Sequence, residues 1–317
     1  MKNLAPIVLF VYNRPEHTQR TVEGLLSNPE ARESELFIFA DAPKVTASEK
    51  DKVNVAKVRR YIHTIQGFKK IHIEEADTNK GLAKSTIEGC SKILNIYGNI
   101  IMFEDDDVPT PYFLAYANNC LERFKYDDNI WCISGYVDPD ILPPDDGADV
   151  FLVNRPSSWG FATWKRCWDK VIWDIPTLKG LFAHKGVYEG YDKWCGQDSS
   201  VIMRGLFNER NNSWSTRYNF AAYLNKSLTI LPNKSLIDNI GCDGTGTNCS
   251  KQVLRLNLMD REVNIPPTIL FDAIKNKKLL NSFKPHGLMM RLRYYLMKHQ
   301  VLNNIIHRLC LKTRHNK

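Results

Sequence analysis

The sequence predicts an α/β fold in which a mixed, mainly parallel sheet is flanked by helices. Three observations lead to this prediction. Short apolar runs rich in β-branched and aromatic residues alternate with segments of helical period through the first 125 residues. Polar side chains follow these runs, where the strands of βαβ units would end. The chain has 317 residues, 43% of them hydrophobic and 25% charged, which suffices for a sizeable core in an ordinary soluble globular protein.

The elements of the first half follow one another in regular alternation. Residues 6–12, P-I-V-L-F-V-Y, have the composition of a central strand. Asn13-Arg14-Pro15 then begins a helix, with proline near its first position. Further strands are expected at 36–40, 71–73 and 100–103, one helix at 80–97, and another that starts at Pro111 with Thr110 as its cap.

The most informative stretch is N-I-I-M-F-E-D-D-D-V-P-T-P-Y at 99–112. Four apolar residues run directly into Glu104, Asp105, Asp106 and Asp107. A short continuous apolar run is typical of a strand buried on both faces, and the two prolines that follow prevent its simple continuation. The four carboxylates are therefore expected at the carboxyl end of a buried strand, which is where open α/β sheets bind ligands.

Four adjacent carboxylates repel one another, and a hard divalent cation with oxygen ligands can hold them together. Manganese or magnesium bound by one or two carboxylates usually takes its other ligands from water and substrate phosphate. The sequence therefore predicts a bound divalent cation that coordinates a diphosphate. The alternative is a solvated acidic turn without a ligand.

Other polar residues are expected at the same edge of the sheet. Asn13 and Arg14 follow the first strand, Asp41 follows the second, and Lys84 lies in the first turn of the helix at 80–97. Arg14 can pair with a phosphate through two charged hydrogen bonds, Lys84 offers another positive charge, and Asp41 can accept a hydrogen bond from a base or ribose. For each residue, capping or a surface ion pair is the alternative.

Several functional classes are excluded. The chain has neither the G-x-G-x-x-G fingerprint of dinucleotide-binding folds nor a P-loop. Its eight cysteines include no C-x-x-C pair, so a zinc ribbon or dithiol redox motif is not indicated. Most cysteines lie among apolar residues and are expected to be small core residues in a reducing compartment. No small-residue cleavage site follows the apolar run near the N-terminus, and we expect a cytoplasmic protein.

The second half is richer in aromatic residues and irregular segments. Strands are expected at 129–136 and 228–231. Trp159-Gly160 lies in an irregular stretch where a sugar can stack on the ring, whereas Trp164 and Trp168 have helical spacing and are expected in the core. Residues 232–249 are rich in Gly, Asn, Asp and Thr, and are expected to form a long mobile loop that closes over a ligand.

The order of these motifs resembles that of metal-dependent GT-A glycosyltransferases, in particular the N-acetylglucosaminyltransferase I family and its bacterial relatives. The resemblance extends from Ile7 to about Cys249. In that family the first strand ends in a polar residue and an arginine, the second ends in Asp, and a Glu-Asp-Asp metal motif precedes an apolar helix. The matching segments here are Asn13-Arg14, Asp41, Glu104-Asp105-Asp106, W-C-I-S at 131–134, Trp159-Gly160 and the glycine-rich loop at 241–248.

The resemblance implies a hexosyl- or N-acetylhexosaminyltransferase that moves a sugar from a nucleotide-sugar, above all a UDP-sugar, to an acceptor hydroxyl with inversion. It implies that Asp106 binds manganese, and its bacterial relatives suggest a setting in surface polysaccharide assembly. A bound cation would neutralise the departing diphosphate, and a carboxylate base would take the acceptor proton. The residues expected to contact the nucleotide-sugar are Asn13, Arg14, Asp41, Lys84, Glu104, Asp105, Trp159 and Gly244.

The general base is where the sequence departs from the family pattern. The family places it in an acidic pair beside a tryptophan, ahead of the mobile loop. If Trp214 is the matching tryptophan, an asparagine and a serine precede it, and neither is a base. If Trp194 is the match, the candidate is Asp192, with Asp198 nearby, and the two remain alternatives. Bacterial relatives often end the loop in Thr-His-Cys, and here Asn248 replaces the histidine.

The resemblance divides the chain into a GT-A domain at 1–272, with a nucleotide-sugar half at 1–125 and an acceptor half at 126–272, and a tail at 273–317. The tail holds seven Lys and four Arg with no Asp or Glu, whereas residues 1–272 hold 32 basic and 35 acidic residues, a net charge of −3. From Gly287 onward apolar residues recur on one helical face. A basic amphipathic helix predicts peripheral binding to an anionic membrane surface, which would suit a lipid-linked acceptor. A helix packed on the body of the protein is the alternative, and no motif suggests nucleic acid as a partner.

Two other functions compete with this interpretation. A nucleotidyltransferase also uses metal-bound carboxylates on an α/β sheet, but it would normally show a basic, glycine-rich phosphate loop after the first strand, unlike Asn13-Arg14-Pro15. The second is a relative that binds a nucleotide-sugar or glycan without turnover, which agrees with the lack of a clear match to the family's general base.

Overall fold

The computed structural model describes residues 4–138, 147–246 and 256–284, together with Tyr295. The strands in these residues are β1 (Ile7–Val11), β2 (Glu35–Ala40), β3 (Lys70–Glu75), β4 (Asn99–Glu104), β5 (Asp107–Pro109), β6 (Ile130–Ser134), β7 (Val150–Val153), β8 (Phe161–Trp164), β9 (Leu228–Pro232) and β10 (Ile237–Asn239). The helices are α1 (Pro15–Leu26), α2 (Glu49–Ile62), α3 (Leu82–Tyr97), α4 (Phe113–Arg123), α5 (Lys165–Trp168), α6 (Ile175–Phe182), α7 (Val187–Cys195), α8 (Ser199–Phe207), α9 (Trp214–Asn225) and α10 (Ala273–Ser282).

Eight of these strands form one sheet in the order β3-β2-β1-β4-β8-β6-β9-β7. The first four strands of this order are parallel, β8 runs antiparallel to both of its neighbours, β6 and β9 are parallel, and β7 is antiparallel to β9. The predicted mixed, mainly parallel sheet is therefore confirmed. Because β8 lies between β4 and β6, the sheet runs without a break across the expected division at residues 125 and 126.

The central strands are apolar because both faces of the sheet are covered. Leu9 of β1 is paired with Phe103 of β4, so the two side chains share a face, and the ring of Phe103 lies edge-on to Phe113 of α4 at 5.3 Å. On the other face, Phe10 stacks on Phe39 of β2 and both contact Gly89 of α3. Helices α3 and α4 therefore pack on opposite faces of the sheet.

The chain leaves the main sheet immediately after β4. Only Asp105 and Asp106 separate β4 from β5, and β5 pairs antiparallel with β10 outside the main sheet. Pro109 is accommodated because it ends a short strand that has a single neighbour. This path differs from the expected passage into a helix capped by Thr110. Helix α4 begins at Phe113, and the amide N–H of Thr110 donates instead to the carbonyl of Leu236 at 2.8 Å.

Two predictions for the second half need correction. The segment at 232–249 is not one long loop, because it contains β10 and a 3₁₀ turn at Gly241–Asp243; residues 247–249 lie outside the described part. Trp164 lies on β8 and Trp168 on α5, so their spacing of four does not reflect one helix. Both indoles are nevertheless buried in the core, as expected.

The cysteines are mostly buried thiols. Five of those in the described residues are free and buried: Cys90, Cys120, Cys132, Cys167 and Cys195. Cys242 is disulfide-bonded, so the expectation of free core cysteines is wrong for this residue.

The tail begins with a helix, α10, whose first turn is capped by the carboxylate of Asp272. The amphipathic face predicted from residue 287 onward falls outside the described residues, apart from Tyr295. Within the part of the chain that the structure describes, none of the helices combines the length and the apolar character needed to cross a membrane.

The packing of β4 against α4 predicts a strong effect of truncating Phe103, which is completely buried. We expect Phe103→Ala to lower the free energy of unfolding by about 3–5 kcal/mol, because it removes a large ring and leaves a cavity. Urea denaturation measures the change. Ile96→Ala on α3 is the matched control, because this side chain is 68% exposed and its loss should cost less than about 0.5 kcal/mol. A loss for Phe103→Ala no larger than that of the control would contradict the packing.

Candidate functional site

A cavity of about 410 Å³ lies at the carboxyl ends of β1, β2 and β4. These parallel strands end at the same edge of the sheet, so the polar residues that follow them converge, as the sequence predicts. The lining consists of Phe10, Val11, Tyr12, Asn13, Arg14, Phe39, Asp41, Lys44, Asn79, Gly81, Leu82, Ser85, Glu104, Asp105, Asp106, Trp159, Asn239, Gly241, Thr245 and Gly246.

The acidic turn between β4 and β5 lies against Arg14, which precedes α1. A nitrogen of the guanidinium, Nη1, lies 2.8 Å from Asp106 Oδ2, and Nη2 donates a hydrogen bond to Asp105 Oδ1. Burial alone would lower the pKa of Arg14, but the charges of Asp105 and Asp106 outweigh it and raise this pKa above its ordinary value. Burial raises the pKa of Asp105, and the charge of Arg14 opposes that rise. Arg14 thus supplies a counter-charge to the turn.

Glu104, the last residue of β4, lines the cavity and contacts Trp214, the first residue of α9. The indole Nε1–H of Trp214 donates to Glu104 Oε1 at 3.3 Å. Burial, followed by the negative charge of Asp106, raises the pKa of Glu104 to about 7. This carboxyl group therefore titrates near neutral pH, unlike an ordinary surface glutamate.

The fourth carboxylate of the cluster, Asp107, has a structural role. Its side chain is fully buried and accepts hydrogen bonds from Asn239 Nδ2 at 2.9 Å and from the amide of Gly160 at 3.4 Å. Burial, reinforced by the charges of Asp106 and Glu104, raises its pKa well above the ordinary value. Asp107 fastens β5 to β10 and to the turn that carries Trp159, so three of the four acidic residues are left to line the cavity.

Asp41 holds the loop that leads into α3. Its Oδ1 accepts from the amides of Ala42 at 2.9 Å and Lys80 at 2.8 Å. Its Oδ2 accepts from the amide of Gly81 at 2.8 Å and from Asn79 Nδ2 at 3.0 Å. A carboxylate has about four acceptor positions, so these contacts account for its hydrogen-bonding capacity. Asp41 therefore shapes the cavity wall through the segment at 79–81.

The segment at 240–246 closes over the acidic turn. The amide of Ile240 donates to the carbonyl of Asp106 at 2.9 Å. A Cβ added at Gly241 would lie 1.9 Å from Asp106 Oδ2, so only glycine allows this approach. Gly244 has φ of +96°, a left-handed conformation that favours glycine. Gly244 shapes the turn, whereas its neighbours Thr245 and Gly246 line the cavity.

Trp159 forms part of the cavity wall. Its ring lies edge-on to Tyr136 at 4.4 Å and remains partly exposed. Gly160 has φ of +62°, and a Cβ there would lie 2.4 Å from Ile237 Cγ1. The glycine is thus required both by the backbone conformation and by the close packing of β10.

Besides Gly244, three predicted site residues do not line this cavity. Lys84 is exposed, and its ammonium lies 3.8 Å from Glu88 Oε1. Asp198 forms two hydrogen bonds with the guanidinium of Arg155, at 2.6 and 2.9 Å. Asp192 is buried, accepts from the amide of Ser200 at 2.9 Å in the first turn of α8, and borders a separate cavity of about 450 Å³ between α7 and α10. Their assignments as phosphate ligand and general bases stay predictions.

The cavity also contains residues that the sequence did not single out. Lys44 and Asn79 lie in irregular connections, and Asn239 is on a three-residue strand, so no periodic pattern marks them. Trp214 does not itself line the cavity, and the sequence marks it only as one possible match to the tryptophan beside the family's base. Its indole contact with Glu104 depends on tertiary packing and has no local signal.

The acidic turn offers carboxylate oxygens to a divalent cation. Among the described residues, no group of three or more His, Cys, Asp or Glu side chains is arranged to hold a metal ion. A magnesium or manganese ion bound with a nucleotide needs only one or two carboxylates, because phosphate and water supply the other ligands. Asp105 Oδ2 is buried and has no hydrogen-bond partner in the described part of the chain. Asp105 and Asp106 therefore fit a cation of this kind.

Comparisons with known proteins do not assign the chain to a family. No protein-family model and no curated protein matches it. Two solved structures of TarS from S. aureus each have a TM-score of 0.39 and 10% identity over 74% of this chain, and the match covers 36% and 59% of the TarS chains. The mannosyltransferase PcManGT from Pyrobaculum calidifontis, solved with GDP-Man and Mn²⁺, has a TM-score of 0.41 and 11% identity over 71% of this chain and 70% of its own. Similarity at this level does not establish an activity.

The close approach of Gly241 to Asp106 predicts that Gly241→Ala impairs the cavity. The added methyl group must displace either the carboxylate or the segment at 240–246, so binding of a nucleoside diphosphate with Mn²⁺ should weaken by at least about tenfold. Isothermal titration calorimetry with UDP and GDP measures this effect. Gly180→Ala is the matched control, because no atom lies within 4 Å of its added Cβ. Equal affinities for the two variants would contradict the proposed packing.

The raised pKa of Glu104 predicts a pH-dependent effect of Glu104→Gln on stability. Between the ordinary pKa of 4.5 and about 7, the folded protein binds a proton at this site more tightly than the unfolded chain does. Stability therefore falls as the pH rises through this window. Glutamine, which stays neutral and still accepts from Trp214, should raise the free energy of unfolding at pH 8 but not near pH 4.5.

Denaturant titrations in EDTA at both pH values test this expectation. Glu122→Gln, at a side chain that is 62% exposed, is the control and should leave the pH profile unchanged. A benefit of Glu104→Gln that is the same at both pH values would refute the pKa assignment.

Proposed function

We propose that the protein is a metal-dependent glycosyltransferase that uses a nucleotide-sugar as donor. The observation that carries this proposal is the arrangement at the cavity's edge. Two buried aspartates, an arginine fork and a glycine-rich segment meet at the carboxyl ends of three parallel strands. This combination suits a cation and a diphosphate, with room beside them for a nucleoside and a sugar.

The cation, held by Asp105 and Asp106, would act as a Lewis acid and neutralise the charge of the leaving diphosphate. Arg14 presents a planar fork that can donate two hydrogen bonds to a phosphate. Helix α3 begins at the cavity with Gly81 and Leu82 in its wall, and no side chain caps its first turn. The free amide groups and the dipole at this helix start favour an anion.

The remaining walls suit the uncharged parts of the donor. Phe10, Val11, Tyr12 and Phe39 give the cavity an apolar side, which favours a nucleobase. Asn13 and Asn79 add amide groups beside it, and Asp41 fixes the connection that carries Asn79. Trp159 offers a partly exposed ring on which a sugar can stack.

The finer features of the proposal rest on the sequence resemblance. They are a UDP-sugar donor, a hexosyl or N-acetylhexosaminyl group, inversion at the anomeric carbon, and a glycan or lipid-linked acceptor in surface polysaccharide assembly. The halves at 1–125 and 126–272 would serve donor and acceptor. Residues 273–317 would hold the protein at an anionic membrane surface.

The presence of a general base would distinguish a glycosyltransferase from a protein that only binds a nucleotide-sugar. Asp198 is paired with Arg155, and Asp192 lies on α7 and accepts from the amide of Ser200. Neither candidate lies in the wall of the donor cavity. A base must reach the acceptor hydroxyl within about 3 Å, directly or through a water molecule. The same observation favours the second candidate function, a protein that binds a nucleotide-sugar without transferring the sugar.

A donor screen tests the proposal. UDP or GDP release should be measured across a panel of UDP- and GDP-sugars with and without Mn²⁺. Asp106→Ala serves as the test variant, and Asp128→Ala, at a side chain that is 81% exposed, serves as the control. Mn²⁺-dependent release from one donor should fall by at least about 10²-fold in Asp106→Ala and stay unchanged in Asp128→Ala. Metal-dependent binding of a donor without release would favour the non-catalytic function. If no donor bound with or without Mn²⁺, both functions would be wrong.

A further inference from the structure

Arg14 contacts the same carboxylates that would hold the cation. Its guanidinium bridges Asp105 and Asp106, and all three side chains are largely buried, with 17%, 7% and 13% of their surfaces exposed. Two adjacent buried carboxylates without a counter-charge would be costly, because burial and mutual repulsion both disfavour their ionised forms. The ion pairs with Arg14 offset part of that cost.

The backbone of Arg14 is fixed, but its side chain spans the cavity wall. The carbonyl of Arg14 accepts hydrogen bonds from the amide and the hydroxyl of Thr18, both at 2.9 Å, which anchors it to the first turn of α1. The guanidinium can therefore change partners by rotation about its side-chain bonds without moving the helix. A nearby phosphate would offer it the same bidentate geometry as the carboxylates.

A guanidinium and a divalent cation cannot both occupy the oxygens that Arg14 now contacts. A cation of this kind requires ligand oxygens at about 2.0–2.2 Å, and a positively charged group beside it is repelled. A cation that takes Asp106 Oδ2 must therefore displace Nη1 of Arg14. A cation that instead uses the unpartnered Asp105 Oδ2 lies beside the same guanidinium and repels it, so in both cases the arginine needs another anion.

We propose that Arg14 is a displaceable counter-cation. It pairs with Asp105 and Asp106 in the free protein, and it moves onto the diphosphate when the divalent cation takes the carboxylates. This inference rests on the proposed function for the identity of the diphosphate. The exchange makes the two ligands cooperative: the cation alone must displace Arg14 without compensation, whereas the cation together with a diphosphate gives the arginine a new partner.

The test compares wild-type protein with Arg14→Gln, which removes the charge, and Arg14→Lys, which keeps the charge but not the fork. Arg20→Gln is the matched control, because Arg20 is on α1, is 56% exposed and lies 3.8 Å from Asp238. Neither residue is part of the cavity lining. Mn²⁺ affinity is measured by electron paramagnetic resonance, first without a nucleotide and then with saturating UDP or GDP.

The inference predicts opposite changes in the two measurements. Without a nucleotide, Arg14→Gln should bind Mn²⁺ about tenfold more tightly than wild type, Arg14→Lys should lie between them, and Arg20→Gln should match wild type within about twofold. With UDP or GDP, wild-type affinity for Mn²⁺ should rise strongly, and the rise should be smaller in Arg14→Gln. A residue that only stabilises the fold would not increase the affinity for Mn²⁺ when removed.

Unchanged or weaker Mn²⁺ binding by Arg14→Gln would overturn the inference. If wild type still bound Mn²⁺ and UDP or GDP together, the proposed function would survive that result. If wild type bound neither UDP nor GDP with Mn²⁺, the proposed function would fail, while the measurements without nucleotide would still decide whether Arg14 competes with the cation. Should Arg14→Gln not fold, Arg14→Lys decides the question: an affinity equal to that of wild type would count against the exchange.

Discussion

The structure depends on one electrostatic constraint: two aspartates must remain close together and largely buried in a two-residue turn. The turn joins β4 to β5, which pairs with β10. Arg14 supplies the compensating charge from the end of the neighbouring strand, β1. The strand order of the sheet, the start of α1 and the approach of the segment at 240–246 all serve this arrangement. A ligand that carries both a cation and phosphate groups would satisfy the same charges.

Residues around the turn divide into those that present chemistry and those that hold the backbone. Asp107 and Asp41 are acidic residues at strand ends, yet both accept hydrogen bonds from other residues of the protein. They fix the connections that carry Trp159 and the start of α3. Catalysis and binding require side chains held to within fractions of an ångström, so such supporting groups matter as much as the groups that touch the ligand. Carboxylates at the edge of a sheet are therefore not equivalent, even when they are adjacent in sequence.

The sequence predicted the first half of the fold well because its strands are long, apolar and separated by amphipathic helices. It predicted Arg14, Asp105 and Asp106 together because parallel strand ends must converge. It missed β5 and β10, which have three residues each and no periodicity, and it placed the start of a helix at Pro111, two residues before α4 begins. The contact between Trp214 and Glu104 joins residues 110 positions apart and follows only from packing. For the same reason, the surroundings of Lys84, Asp192 and Asp198 could not be read from their neighbours in sequence.

The central claim is that the acidic turn binds a divalent cation together with a diphosphate. Anomalous diffraction at the manganese edge, from crystals grown with Mn²⁺ and UDP or GDP, tests it most directly. The account predicts a single strong peak within about 2.2 Å of an Asp106 carboxylate oxygen, bridged to the diphosphate, with the nucleoside in the cavity beside Asn13 and Asn79. A nucleotide bound elsewhere, or bound in this cavity with no manganese at Asp106, would contradict the account.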